Sequence, residues 1–139
     1  MKKLLVVAAL FLFISNISKA QTIAAVVTSD GKTLTATTRA TPPVNMISME
    51  EISTVTSIIL LDEKTMKSEG QGSVYTFAMT VVTSAGKTTL EAKGGMLSAT
   101  MKTQLQKLNS GDKVYFEYIK CIQGEGTIRA VSSLAFQVK

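Results

Sequence analysis

The sequence predicts a mainly β protein: a small β-sandwich with one inserted amphipathic helix and a short N-terminal helix. Three observations support this prediction. Segments rich in valine, threonine and aromatic residues alternate polar and apolar side chains, as strands do. Turns that contain glycine separate many of these segments. One stretch, residues 97–108, changes to the spacing of a helix.

Residues 1–20 have the three parts of a secretory signal peptide. Lys2 and Lys3 form a positive start, residues 4–14 are apolar, and Ser18 and Ala20 are the small residues of a cleavage site. The apolar run is shorter than a membrane span requires. We therefore predict cleavage after residue 20 and export, with the periplasm as the destination and secretion or the cell surface as the alternative.

Removal of the signal peptide leaves twelve basic and ten acidic residues, a net charge of +2. A nucleic-acid partner would need a clustered basic face, so none is predicted. The chain has no histidine, which excludes serine–histidine and cysteine–histidine catalysis. Its one cysteine, Cys121, cannot form a disulfide within the chain and is interpreted as a small buried side chain, with a free or intermolecularly paired thiol as the alternative. We predict no catalytic residue, no metal site and no cofactor.

Two similar segments, residues 26–34 and 81–90, contain Gly-Lys-Thr, the end of a phosphate-binding loop. Such a loop needs another glycine five residues earlier and a helix immediately afterwards. Val26 and Val81 occupy the positions of the earlier glycines, and threonine-rich sequence follows each Gly-Lys-Thr. We therefore predict two hairpin turns and no nucleotide binding.

The chain after the signal peptide is predicted to have two parts. Residues 21–43 form an N-terminal arm or hairpin, which Pro42 and Pro43 interrupt because proline lacks a hydrogen-bond donor. Residues 44–139 form the main β domain. It begins with a short helix, since Ser48 and Glu51 make a Ser-x-x-Glu capping box in which each side chain bonds to the other residue's amide.

The strands and the second helix follow from the periodicity of the main domain. Residues 58–61 are a continuous apolar run, as in a strand buried on both faces. In the next strand, strict alternation directs one large apolar set toward the core: Tyr75, Phe77, Met79 and Val81. Four apolar residues follow one another at intervals of four, four and three, as on one face of a helix, and this face is also expected in the core: Leu97, Met101, Leu105 and Leu108.

The last segment is predicted to form two strands, residues 113–122 and 127–139, around a turn at 123–126. Ser132 and Ser133 are expected to divide the second strand into two pieces. The total, six to eight strands and one principal helix, fits an immunoglobulin-like β-sandwich.

Both faces of the strand at 113–122 are apolar if the alternation is strict. One set is Tyr115, Ile119 and Cys121, and the other is Val114, Phe116 and Tyr118. One set would remain after the core is filled, and a symmetric homodimer would cover it. The alternative is that the helix at 98–108 covers it within one molecule.

Several short segments occur in a characteristic order: ISMEEI, SVYTFAMTV, MLSATMKTQLQKL, GDKVYFE, then IK, GTIR and a closing LAFQVK. On these segments, residues 44–139 resemble the C-terminal module of GldM/PorM proteins, which belong to the gliding-motility and type IX secretion machinery of Bacteroidetes. The turn differs, because the family tends to have Gly-Pro-Asp-Gly where this chain has Gln-Gly-Glu-Gly at 123–126. Family members also carry a transmembrane helix and several domains before this module, so we do not expect this chain to form a membrane-spanning shaft.

The resemblance implies a periplasmic contact module that works as a dimer, meets components of the cell envelope and needs no cofactor. We select exposed residues of the final hairpin as interaction candidates: Tyr115, Glu117, Lys120 and Arg129. Alternatively, Glu117 and Arg129 simply pair across that hairpin. A different class of function is a secreted small enzyme or inhibitor on a β-sandwich scaffold. An enzyme should show a cleft with convergent polar groups, whereas an interaction module should show an apolar patch or a free strand edge.

Overall fold

The computed structural model describes residues 22–35, 45–68 and 70–139. The predicted signal peptide and Pro42-Pro43 lie outside these residues. The described chain is mainly β, as predicted, and no helix in it is long and apolar enough to cross a membrane. It contains nine strands and two helices: β1 (Thr22–Thr28), β2 (Thr33–Leu34), β3 (Asn45–Ile47), α1 (Met49–Ser53), β4 (Val55–Asp62), β5 (Ser73–Thr83), β6 (Gly86–Lys93), α2 (Ala99–Gln106), β7 (Lys113–Ile122), β8 (Ile128–Val131) and β9 (Leu134–Val138).

The strands form two sheets that contribute to one hydrophobic core. The smaller sheet has the order β2-β1-β4, and the larger has the order β3-β9-β7-β5-β6, with β8 paired to β7. All pairs are antiparallel except β3 with β9. Phe116 lies at the centre of the aromatic part of the core, with its ring centroid 6.4 Å from that of Phe77 and 6.3 Å from that of Phe136. The predicted division of the last strand is confirmed, because β8 and β9 pair with successive halves of β7 on either side of Ser132-Ser133.

The N-terminal hairpin contributes to the same core. β1 pairs with β2 around the predicted Ser-Asp-Gly turn, where Gly31 has a φ of +86°, and β1 pairs with β4 along its whole length. Ala24 and Val26 are buried. The second predicted turn joins β5 to β6. Each Gly-Lys-Thr therefore leads into a strand, and no helix begins there as a phosphate-binding loop requires.

Helix α1 begins at the predicted cap and is connected to the first hairpin. Ser48 Oγ accepts a hydrogen bond from the Glu51 amide at 3.1 Å. The Glu51 carboxylate forms an ion pair with Lys32, in the turn of the β1–β2 hairpin. The Ser29 amide of the same turn donates to the Thr54 carbonyl, just after α1, at 2.8 Å. These contacts join residues far apart in the sequence.

The apolar stripe that predicted the second helix is confirmed as core. Leu97, Met101, Leu105 and Leu108 are each at most 5 % exposed. Ser98 is the N-cap of α2, and its Oγ accepts from the Met101 amide at 3.3 Å. The segment before α2 crosses from the larger sheet to the edge of β4, where the Ile58 amide donates to the Gly95 carbonyl at 2.7 Å.

Two β-bulges contradict the strict alternation predicted for β5 and β7. Tyr75 is an extra residue on β5, and Tyr118 is an extra residue on β7. A bulge reverses the face that the following residues occupy. Val74 therefore lies in the core, whereas Tyr75 is 46 % exposed. Apolar residues from both predicted faces of β7 point into the same core. Four of them are at most 1 % exposed and belong to one core cluster: Val114, Phe116, Ile119 and Cys121. The surplus apolar face from which we predicted a dimer is therefore not present on β7.

Candidate functional site

The outer face of the larger sheet, which lies opposite the core, carries charges in regular rows. The strand register places Thr76 between Lys93 of β6 and Lys120 of β7. Residues directly opposite one another in antiparallel strands project from the same face. Two lysines therefore flank a small side chain on the central strand.

The next row toward the β5–β6 turn has the opposite charge. Ala78 lies between Glu91 of β6 and Glu117 of β7. Two residues along a strand correspond to about 7 Å, so a pair of lysines and a pair of glutamates lie about that far apart. The sheet thus presents a short alternating pattern of charge on either side of β5.

Small side chains on β5 and longer ones beside them form a depression that we call the outer-face groove. Its volume is about 660 Å³, and it is lined by Thr76, Phe77, Ala78, Glu91, Ala92, Lys93, Tyr118 and Lys120. Ala78 is only 3 % exposed, although it lies on the outer face. Ala78 is flanked by the longer side chains of Glu91 and Glu117, which contribute to this burial.

One carboxylate beside the groove, that of Glu117, accepts a hydrogen bond from the central strand. Thr80 Oγ1 lies 3.0 Å from Glu117 Oε2 and donates to it, and Thr80 Oγ1 is also 3.0 Å from Thr89 Oγ1. Thr80 is 2 % exposed. This contact links side chains of β6, β5 and β7 and orients Glu117 toward β5.

Tyr118 has an unfavourable backbone conformation at the edge of the groove. Its φ is +51°, in the left-handed region that residues with a Cβ rarely adopt, and its side chain is 75 % exposed. Exposure on this scale means that burial of the ring contributes little to the fold. Strained residues occur preferentially at functional sites, and bulges there direct side chains toward ligands.

Three of the four predicted interaction candidates lie on this outer face. Lys120 lines the groove, Glu117 borders it, and Tyr115 lies one row further along β7, opposite Thr80. Arg129 lies apart from them on β8, where it is paired with Cys121. The alternative pairing of Glu117 with Arg129 is not formed, because the β7–β8 register begins beyond Glu117.

The exposure of both Tyr75 and Tyr118 was not predicted from the sequence. The sequence nevertheless contains a signal for the two bulges, because the buried apolar residues on either side of each bulge are three positions apart: Val74 and Phe77, then Phe116 and Ile119. Strict alternation would require an even spacing. An odd spacing between two core residues of a strand therefore indicates an inserted residue.

Other chemistry on the described residues is limited. Cys121 is buried, as interpreted from the sequence, and it is not part of a disulfide within the described residues. Within the described ranges, no group of three or more Cys, Asp or Glu side chains could hold a metal ion. No protein-family model matches the chain, and no curated protein is similar to it.

Proposed function

We propose that this protein is an exported, non-catalytic module that binds another protein at the outer-face groove. The observation that supports this most directly is the pair of offsetting bulges, which expose Tyr75 and Tyr118 next to rows of lysine and glutamate. Tyrosine is enriched at protein interfaces, because its ring contributes a large contact area while its hydroxyl remains able to form a hydrogen bond.

The charge rows define the chemistry of the partner. Lys93 and Lys120 attract an acidic group, and Glu91 and Glu117 attract a basic group about 7 Å further along β5. A protein segment with both charges at that spacing matches the groove. The small residues Thr76 and Ala78 leave room for its side chains between the charged walls.

We further propose that the two sheets form an immunoglobulin-like sandwich and that the module acts in the periplasm. The predicted signal peptide supports export. The resemblance of residues 44–139 to the C-terminal module of GldM/PorM proteins supports a role beside the gliding and type IX secretion machinery. In that role, the partner is a protein of the cell envelope.

Affinity capture from a cell-envelope extract tests this function. The bait is the wild-type protein or a double variant, Tyr118→Asn with Lys120→Glu, in which asparagine tolerates the left-handed backbone. The matched control is Lys107→Glu, at an exposed position next to α2 and away from the groove lining. We expect the wild type and the control to capture the same protein and the double variant to lose it.

The purified partner then permits a quantitative test. Calorimetry should show an affinity at least about tenfold lower for the double variant than for the control. Equal affinities of the double variant and the control would show that the partner does not bind at the groove. Failure of the wild-type protein to capture any envelope protein would contradict a binding module.

A further inference from the structure

The free edge of β6 is suited to a second copy of this chain. β6 (Gly86–Lys93) is the last strand of the larger sheet, and within the described residues it pairs only with β5. Most of its residues are exposed. A long unpaired edge has hydrogen-bonding groups available for another strand.

The backbone of β6 has four residues directed outward. Thr83 pairs with Gly86 across a two-residue turn, so these two residues form a hydrogen-bonded pair. Hydrogen-bonded and non-hydrogen-bonded pairs alternate along an antiparallel ladder. The backbone N–H and C=O groups of Lys87, Thr89, Glu91 and Lys93 therefore point away from β5. The side chains of the same residues project from the outer face, together with Ala78 and Thr80 on β5.

We propose that two copies of the chain pair antiparallel through β6, with the two-fold axis at Thr89. In this register, Lys87 of each copy lies opposite Glu91 of the other, and Thr89 lies opposite Thr89. The overlap covers residues 86–92, nearly all of β6. Directly opposed unlike charges stabilise an antiparallel pair, and this arrangement contains two of them. The strand is thus complementary in charge to itself.

The other symmetric registers are less favourable. An axis at Thr88 pairs Lys87 with Thr89 and contains no pair of unlike charges. An axis at Leu90 places Lys87 opposite Lys93, and an axis at Glu91 places that carboxylate opposite its own copy. Like charges in direct opposition are destabilising. An axis at Ala92 pairs Glu91 with Lys93, but the strands then overlap only over residues 91–93. The register at Thr89 alone combines unlike charges with a long overlap.

The paired strands would add a residue of one copy to the site of the other. Glu91 lines the outer-face groove, so Lys87 of the second copy extends the wall of that groove. The two-fold axis is perpendicular to the sheet, and both grooves consequently open on the same side of one continuous sheet. This interface does not depend on what the groove binds, and it differs from the β7 face on which the sequence prediction of a dimer rested.

Charge exchange tests the proposed register. Sedimentation equilibrium of the purified protein, with reductant present to prevent a disulfide at Cys121, gives the dissociation constant of the dimer. We expect Lys87→Glu and Glu91→Lys each to raise it by at least about tenfold. The double variant that exchanges both charges should return to within about threefold of the wild-type value, because the ion pairs are restored with reversed sign.

A backbone variant tests edge pairing without a change of charge. Thr89→Pro removes an outward N–H and leaves the β5–β6 ladder intact, since proline is tolerated on an edge strand. Thr89→Val is the matched control, because it also lacks the hydroxyl that contacts Thr80 but keeps the N–H. We expect the proline variant to be monomeric and the valine variant to dimerise, with circular dichroism showing that both are folded.

Two results would overturn the proposal. One is a wild-type protein that remains monomeric at about 100 µM, a concentration at which a dimer of moderate affinity is populated. The other is a dimer whose dissociation constant is insensitive to both charge reversals and to Thr89→Pro. Neither result bears on the capture of an envelope protein by the groove, so this proposal and the proposed function can fail separately.

Discussion

Tyr75 and Tyr118 are the extra residues of two bulges on neighbouring strands, and each bulge cancels the register shift that the other introduces. The ladder between β5 and β7 therefore regains its register at Ala78 opposite Glu117. The core receives an unbroken set of apolar side chains from both strands, while two tyrosine rings remain exposed. Tyr118 has an unfavourable φ, and its exposed ring contributes little to packing. This combination is the reason for our proposal that Tyr118 takes part in binding.

The first prediction separates the binding role of Tyr118 from its effect on stability. Glycine adopts a φ near +51° without steric cost, and the tyrosine ring is largely exposed. We expect Tyr118→Gly to change the free energy of unfolding by between zero and about +1 kcal/mol, in the stabilising direction. Urea denaturation measures this change, and capture of the envelope partner should decrease in parallel.

Tyr75→Gly is the matched control for that experiment. Tyr75 also lies at a bulge, but its φ is not positive, so glycine should destabilise the strand by about 0.5–1 kcal/mol. If Tyr118→Gly destabilised the fold by more than its control, the Tyr118 ring would be a packing residue and the strain argument would be wrong.

The second prediction concerns the core contribution of α2. Leu105 is 1 % exposed and belongs to the core cluster. Leu105→Ala should lower the free energy of unfolding by about 2–5 kcal/mol, because it removes buried methyl groups and leaves a cavity. Chemical denaturation with Gln106→Ala, an exposed neighbour, as the control measures this effect. A loss below about 0.5 kcal/mol would show that the site collapses without cost.

The third prediction concerns the crossing between the two sheets. A Cβ at Gly95 would lie 2.5 Å from the Ile58 carbonyl oxygen. Because this oxygen belongs to the backbone, no side-chain rotation can relieve the clash. We expect Gly95→Ala to destabilise the protein by about 1–3 kcal/mol, as overpacking typically does. Gly124→Ala is the control, since nothing lies within 4 Å of the added carbon. Thermal unfolding should separate the two variants, and equal melting temperatures would refute the steric argument.

The fourth prediction is a dependence of stability on pH at the contact between the first hairpin and α1. The hydrogen bond from Lys32 holds the pKa of Glu51 below its ordinary value. The unfolded chain therefore binds this proton at higher pH than the folded protein does. The stabilisation is complete at neutral pH and is lost as the pH falls below about 4 toward the pKa of the folded state.

Glu51→Gln tests this dependence. The variant should be slightly less stable than the wild type at pH 7, and the difference in urea midpoint should vanish near pH 2. The effect is small because both side chains are substantially exposed. Glu50→Gln, one residue earlier on α1, is the matched control, because it removes the same charge without removing the ion pair with Lys32. A difference between wild type and Glu51→Gln that persists at acidic pH would rule out the ion pair as its source.

The fifth prediction concerns export. Ser18 and Ala20 predict cleavage before Gln21. The intact mass of the exported protein should therefore correspond to residues 21–139. Ala20→Asp should block processing, because the site requires a small residue. A retained signal peptide in the wild-type protein would contradict the proposed export.

The local features of the fold were predictable from the sequence. Both hairpin turns, the Ser48 cap and the buried stripe ending at Leu108 depend on residues within a few positions of one another. The groove was predictable only in part. Lys120 and Glu117 were selected as exposed residues of a strand, but their position opposite Thr76 and Ala78 depends on a pairing with β5, about forty residues earlier in the chain.

The sequence by itself determined which segments are strands and helices, because side-chain periodicity and capping act over one or two turns of backbone. Only the tertiary structure decided which residues of β5 and β7 meet water. An inserted residue becomes a bulge only when a partner strand lacks its counterpart, so Tyr75 and Tyr118 are defined by the β5–β7 register. The charge rows and the free edge of β6 have the same origin, since they arise where separate segments of the chain are hydrogen-bonded side by side.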